Sequence, residues 1–264
     1  MLAHEIHNHP IPNTQWVVFI HGAGGSTRTF RRQIAAFGAA YNLLLIDLRD
    51  HGNSVDLPLP KGDFGFNVIA NDVITLLEHL NIPSAHFVSV SMGSIFLREI
   101  EKQKTNIVKS MIIGGGMFDL SQKINIFMGV GSSIGQVIPF QWLYWGLATV
   151  VFPKKNHAKS KEIFIQEASK IKQEAFNRWI KLAPTVKTAL KGYFNNALHM
   201  PCLIVSGQED HMFIGTARQY AQKYPQVEFV EIKKCGHVVS IEQSDVFNAI
   251  SLAFLKKHFP IAQQ

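Results

Sequence analysis

A chain of 264 residues is long enough for one α/β domain of ordinary size with room for an insertion. At 47% hydrophobic and 17% charged residues it is expected to bury a core and not to remain disordered. Its net charge of +7 arises wholly within residues 117–200, which hold eleven Lys/Arg against four Asp/Glu; a solvated basic face is expected, with attraction of anionic substrates or of a membrane surface as the alternatives, and, with no nucleic-acid-binding motif beside it, no nucleic-acid partner.

From Met1 to Asn13 there are three His and two Pro, but neither the basic start nor the apolar core of a signal peptide. Two cysteines, Cys202 and Cys235, fit a reducing compartment better than a disulfide framework. A soluble, cytoplasmic protein is expected. Residues 3–9 can form a short edge strand. The apolar run 15–20 then reads as a buried strand ending in His21-Gly22-Ala23-Gly24-Gly25, and 26–40 as a helix with Phe30, Ile34 and Phe37 on one face. A second apolar run, 41–47, leads into Leu48-Arg49-Asp50-His51-Gly52-Asn53-Ser54 and a loop. A helix is predicted from about Phe66 to Leu80.

The next stretch, 85–102, organises the chain. Ala85 to Val90 is a buried-strand pattern, and Met92, Ile95, Phe96, Leu97 and Ile100 follow at helical spacing. No turn-forming cluster separates the two, so strand must pass to helix at one residue, Ser91. Such a turn drives its central residue towards positive φ, at a cost of about 1–3 kcal/mol for a non-glycine. It needs small residues two before and two after, and Ser89 and Gly93 stand there. The Ser91 hydroxyl would then project from a strand end at a helix amino terminus, where backbone N–H groups and the helix dipole favour developing negative charge.

A buried strand at 108–114 follows, then Gly114-Gly115-Gly116, where strand–helix alternation stops. From about Asp119 to His199 the pattern is helical, including 142–151, 160–172 and 174–182. Within it, Ile124 to Pro153 contains no charged residue, but polar, Gly and Pro residues interrupt it too often for a membrane span of about 20 apolar residues. It is read as a cap with its apolar side facing the active site, in preference to a segment that docks on a membrane surface. After Pro201 alternation resumes, with strands at 202–206 and 227–232, a helix at 214–223, and a last helix at 244–259 with Ser244 as its N-cap. The expected division is 1–118 with 200–264 as the core and 119–199 as a helical insertion.

A serine hydroxyl becomes an effective nucleophile when a histidine takes its proton and a carboxylate fixes that histidine's tautomer. In α/β sheets reactive groups collect at the carboxyl ends of strands. After 202–206 comes Gly207-Gln208-Glu209-Asp210, and after 227–232 comes Lys233-Lys234-Cys235-Gly236-His237. Asp210 is the candidate acid, with Glu209 an alternative carboxylate and a turn or N-cap role the plainer reading. His237 is the candidate base, with an ordinary loop histidine as its plainer reading. The remaining histidines, among them His51, His86 and His157, lack such placement and read as structural or surface groups.

Together these segments resemble the α/β-hydrolase superfamily: Ser89-Val90-Ser91-Met92-Gly93 its nucleophile elbow G-x-S-x-G, Gly207 to Asp210 its G-x-x-D, Gly236-His237 its G-H, and His21-Gly22-Ala23 its H-G-x turn. Two positions depart from the pattern: Ser89 stands where Gly is usual, and Asp50 replaces a Gly in Asp47 to Ser54, which otherwise resembles D-x-R-G-x-G-x-S. The resemblance implies an α/β-hydrolase fold: a mostly parallel sheet of about seven strands, helices on both faces and a helical cap insertion. It implies a serine hydrolase with Ser91, His237 and Asp210 as its triad, backbone N–H groups of Ala23 and Met92 as its oxyanion donors, and no cofactor or metal. The substrate expected is a small molecule with an apolar group, an ester, lactone or thioester. Small bacterial esterases, enol-lactonases and carbon–carbon bond hydrolases are the members it looks most like; cleavage of a β-diketone-like substrate and slow-turnover ligand sensing are the alternatives.

Overall fold

A computed structural model describes residues 1–260 other than 56, 61, 121–123, 125–128, 130–138 and 196. Much of the first half of the uncharged run therefore lies outside the described residues. Among the described residues seven strands form one sheet: β1 (His4–His7), β2 (Trp16–Ile20), β3 (Asn42–Ile46), β4 (Ala85–Val90), β5 (Val108–Gly114), β6 (Cys202–Gly207) and β7 (Val227–Ile232). Their spatial order is β1-β3-β2-β4-β5-β6-β7. Only β1 runs antiparallel, pairing His4 with Ile46 at the edge; the remaining pairs are parallel. This is the mostly parallel seven-stranded sheet that the resemblance implies.

Both sheet faces are covered, which is why β2 and β3 read as near-continuous apolar runs and β4 is broken only by the buried His86 and Ser89. Successive side chains point to opposite faces. Val18 and Ile20 pack with Ile69 and Val73 of α2 (Phe66–His79) and Ile95 and Phe96 of α3 (Gly93–Gln103). Val17 and Phe19 pack on the other face with Phe37 of α1 (Ile34–Gly38) and with Phe247 and Phe254. Each such fully buried side chain contributes about 1.5–3 kcal/mol.

Between β5 and β6 the described residues contain helices and no strand: α4 (Phe140–Val151), α5 (Ala158–Ala168), α6 (Gln173–Ile180) and α7 (Ala183–Phe194). After β6 come α8 (Ile214–Lys223), then α9 (Val239–Glu242) and α10 (Ser244–His258). No helix among the described residues is long and apolar enough to cross a membrane.

Two local expectations need correction. The helix expected over 26–40 is instead a 3₁₀ turn at Thr27–Phe30 and the short α1. Its residues are tied elsewhere: Thr27 N–H donates to Asp47 Oδ1 at 2.7 Å, and the buried Gln33 amide donates to Ser240 O at 2.9 Å. Ser244 is not an N-cap. Gln243 occupies that position without a side-chain cap bond; α9 runs directly into α10, and the Gln243 N–H donates to Val239 O at 3.2 Å.

Candidate active site

The turn after β4 has the geometry its sequence demands. Ser91 has φ of 55°, its N–H donates to Gly114 O at 3.0 Å, and Gly93 opens α3 two residues later. The close approach of β2 explains the glycine: a Cβ at Gly93 would lie 2.6 Å from Ile20 O and 2.9 Å from His21 O. Both obstacles are backbone oxygens, one of them on the last residue of β2, so neither can swing aside as a side chain would. At the other small position, Ser89 is wholly buried and its Oγ has no hydrogen-bond partner among the described residues.

The loops after β6 and β7 bring two more groups to the same sheet edge. His237 Nε2 lies 2.8 Å from Ser91 Oγ, and His237 Nδ1 lies 2.8 Å from Asp210 Oδ2. A carboxylate accepts and does not donate, so the imidazole carries its proton on Nδ1 and offers Nε2 as acceptor to the serine hydroxyl. Asp210 Oδ1 accepts the Phe213 N–H at 3.2 Å, so the carboxylate holds its turn with one oxygen and the imidazole with the other. The alternative carboxylate points away: Glu209 takes His157 Nε2 and Asn156 Nδ2, each at 2.9 Å, and Lys154 Nζ at 2.9 Å. Those bonds from the Asn156 amide and the Lys154 ammonium pull its pKa down to about 2.

Ala23 and Met92 border the same cavity as Ser91 and His237. Gly22 O receives both His21 Nδ1–H at 2.7 Å and Gly25 N–H at 3.1 Å. In a trans peptide the C=O and N–H point opposite ways, so the Ala23 N–H is turned from those donors. His21 also accepts the Leu48 N–H on Nε2 at 3.0 Å, which makes it a brace between the ends of β2 and β3. Burial, with His51 nearby, lowers its pKa to about 3 and keeps it neutral.

The cavity holds about 280 Å³. Leu143, Tyr144 and Leu147 of α4, Phe164 of α5, and Phe176 and Trp179 of α6 form much of its wall. Glu167 also borders it, but its carboxylate is engaged by Ser26 Oγ at 2.7 Å, Lys170 at 2.7 Å and Arg28 at 3.1 Å. The uncharged run is thus divided by its helix: Leu143, Tyr144 and Leu147 face inward, whereas Trp142 and Trp145 are 74% and 61% exposed. Among the described residues no group of three or more His, Cys, Asp or Glu could hold a metal ion.

Several supporting residues had no local sequence signal. Glu242 accepts Gly236 N–H at 2.6 Å and Val238 N–H at 3.2 Å, bracketing His237. Asp50, where the resembling motif has Gly, sits at φ of 67° and is paired with Arg178 Nη2 at 2.5 Å and Trp179 Nε1 at 3.0 Å. Only the departure from glycine could have marked it.

Known proteins share this framework. The chain is 25% identical over 260 residues to the dihydrolipoyllysine-residue acetyltransferase component of the acetoin cleaving system of Pseudomonas putida, covering 92% of itself and 64% of that protein, so it spans less than two thirds of that relative. It is 21% identical over 248 residues to 3-oxoadipate enol-lactonase 2 of Acinetobacter baylyi, covering 91% of itself and 88% of that protein. Among solved structures, a thermophilic esterase from Thermogutta terrifontis superposes with a TM-score of 0.78 at 19% identity, over 97% of this chain and 93% of that one. The model of the family described as "Alpha/beta hydrolase family" matches residues 17–250, and the chain belongs to that family.

Proposed function

We propose that the protein is a serine hydrolase that cleaves a carboxylic ester, lactone or thioester carrying an apolar moiety. The reading is carried by the line Ser91–His237–Asp210, with both contacts at 2.8 Å, whose Ser91 and His237 border the mostly apolar cavity. Ser91 Oγ attacks the substrate carbonyl carbon while its proton passes to His237 Nε2. The carbonyl oxygen gains charge and is held by the Ala23 and Met92 N–H groups. As the tetrahedral carbon collapses, the bond to the leaving oxygen or sulfur breaks and His237 returns the proton to it. Water, deprotonated by the same imidazole, then releases the acid from Ser91. Asp210 holds the imidazole in the Nδ1–H tautomer throughout. Residues 119–199 act as the cap over a core of 1–118 and 200–264. Among the described residues of the cavity wall there is no Lys or Arg, and the Glu167 carboxylate is already engaged, which supports an apolar acyl or alcohol group.

The test is labelling with a fluorophosphonate followed by peptide mapping, together with turnover of p-nitrophenyl esters. Label is expected on Ser91, and Ser91→Ala should abolish both labelling and turnover. Full ester hydrolysis by Ser91→Ala would remove the assignment.

A further inference from the structure

His51 lies outside the proposed triad, yet it makes a contact that bears on the oxyanion turn. The Gly24 N–H, one residue beyond Ala23, donates to His51 Nε2 at 3.0 Å across 27 positions of sequence. His51 Nδ1 lies 2.9 Å from Arg49 O. A carbonyl can only accept, so Nδ1 carries the proton and Nε2 is the acceptor that Gly24 requires. The ring is 2% exposed, and burial lowers its pKa, which keeps that nitrogen unprotonated. Two neighbours fix its plane. The Trp179 ring stands edge-on with centroids 4.7 Å apart, and the His21 ring lies at 5.1 Å. Trp179 is in turn tied to Asp50, the residue before His51.

Two imidazoles therefore hold consecutive peptides. His21 draws in the carbonyl of the Gly22–Ala23 peptide, and His51 draws in the N–H of the Ala23–Gly24 peptide. With both planes set, the Ala23 N–H has one direction left to it. Trp179 both borders the cavity and leans on His51, so the same ring contact joins the substrate wall to the oxyanion turn.

We propose that His51 is a positioning residue of the oxyanion turn: its Nε2 fixes the Gly24 amide, and through it the aim of the Ala23 N–H, while Trp179 of the cap holds the imidazole in register. This rests on the reading above in which Ala23 is an oxyanion donor. A positioning group of this kind acts on the transition state and leaves ground-state binding alone.

The test compares His51→Leu and His51→Gln in the full chain. Leucine removes the acceptor; glutamine can place its amide oxygen near the position of Nε2. With p-nitrophenyl butyrate, His51→Leu should lower kcat about ten- to a hundredfold, less than the loss of a whole oxyanion donor, with KM within about twofold. Affinity for a trifluoromethyl ketone, whose adduct places an oxyanion in that hole, should fall by the same factor, and His51→Gln should recover most of both. Unchanged kcat in His51→Leu, equal defects in both variants, or a kcat loss without loss of ketone affinity would each overturn the proposal. If His51→Leu does not fold, a long-range ¹H–¹⁵N spectrum of the unaltered protein decides: His51 should be protonated on Nδ1 and bare on Nε2, and the opposite tautomer overturns the proposal. An inactive Ser91→Ala beside a fully active His51→Leu removes this inference alone, whereas an active Ser91→Ala removes the hydrolase reading itself.

Discussion

Glu209 and Asp210 are adjacent in sequence, yet their carboxylates serve opposite sides of one loop: Glu209 meets His157 at 2.9 Å, and Asp210 meets His237 at 2.8 Å. The direction of each side chain separates two candidates that are alike in the sequence. Asp210→Asn should leave the loop folded but reverse the imidazole tautomer, with kcat falling about ten-thousandfold. Glu209→Ala should lower kcat less than tenfold, because it releases Lys154, Asn156 and His157 without touching His237. Steady-state rates of the two variants side by side check this, and equal losses would reassign the acid.

Gly93→Ala tests the elbow. The added methyl would lie 2.6 Å from Ile20 O, inside the contact distance of real side chains, and the obstacle is sheet backbone. Relief requires moving either α3 or the end of β2. A loss of about 3 kcal/mol or more is expected in urea unfolding, beyond the usual effect of a small substitution. A variant of ordinary stability would show that the turn is looser than its geometry implies.

How much of this was legible beforehand depended on whether the cause was local. The strands were readable because β2 to β6 are covered on both faces and so appear as mostly apolar runs, with His86, Ser89, Lys109 and Ser110 as the interruptions in β4 and β5. Ser91 was readable because strand must become helix at a single residue. What escaped was set by partners distant in sequence. The segment from Ser26 has helical spacing, but Asp47, Ser240 and Asn248 take its polar groups and split it. The uncharged run did not show which face looks inward, because large apolar residues stand on both sides of its helix: Leu143 and Leu147 face the cavity, whereas Trp142 and Trp145 turn outward. His51 and Asp50 became interpretable only once Gly24 and Arg178 were placed beside them.

Arg178 and Asp50 should be energetically coupled. The Asp50 carboxylate is only 2% exposed, and Arg178→Met would leave it, among the described residues, with the Trp179 N–H. Removing one member of a buried pair costs about 3–5 kcal/mol, and the low end applies because the Arg178 side chain is 26% exposed. Asp50→Gly loses the same pair but relieves the positive φ, so it should be the milder of the two. The double variant should cost less than the sum of its parts by at least about 1 kcal/mol. Denaturation midpoints of the four proteins close the cycle, and strict additivity would deny the coupling.

Acid should weaken the fold well above the range where carboxylates titrate. Burial lowers the pKa of His21 to about 3, helped by His51, and that of His86 to about 4, helped by Lys109. In the unfolded chain both would bind a proton near 6.5. Below that pH the unfolded state holds protons that the native state refuses, so stability falls as pH falls. The contribution is complete above 6.5 and is lost progressively down to about 4 for His86 and about 3 for His21. The slope is on the order of 1 kcal/mol per pH unit for each imidazole. His86→Gln, with an amide in place of the ring between Ser110 and Gln15, should flatten the decline between 6.5 and 4 by about one proton's share. Urea midpoints measured across that range provide the check, and a midpoint constant from pH 6.5 to 4 would mean that these two rings are not held neutral in the native protein.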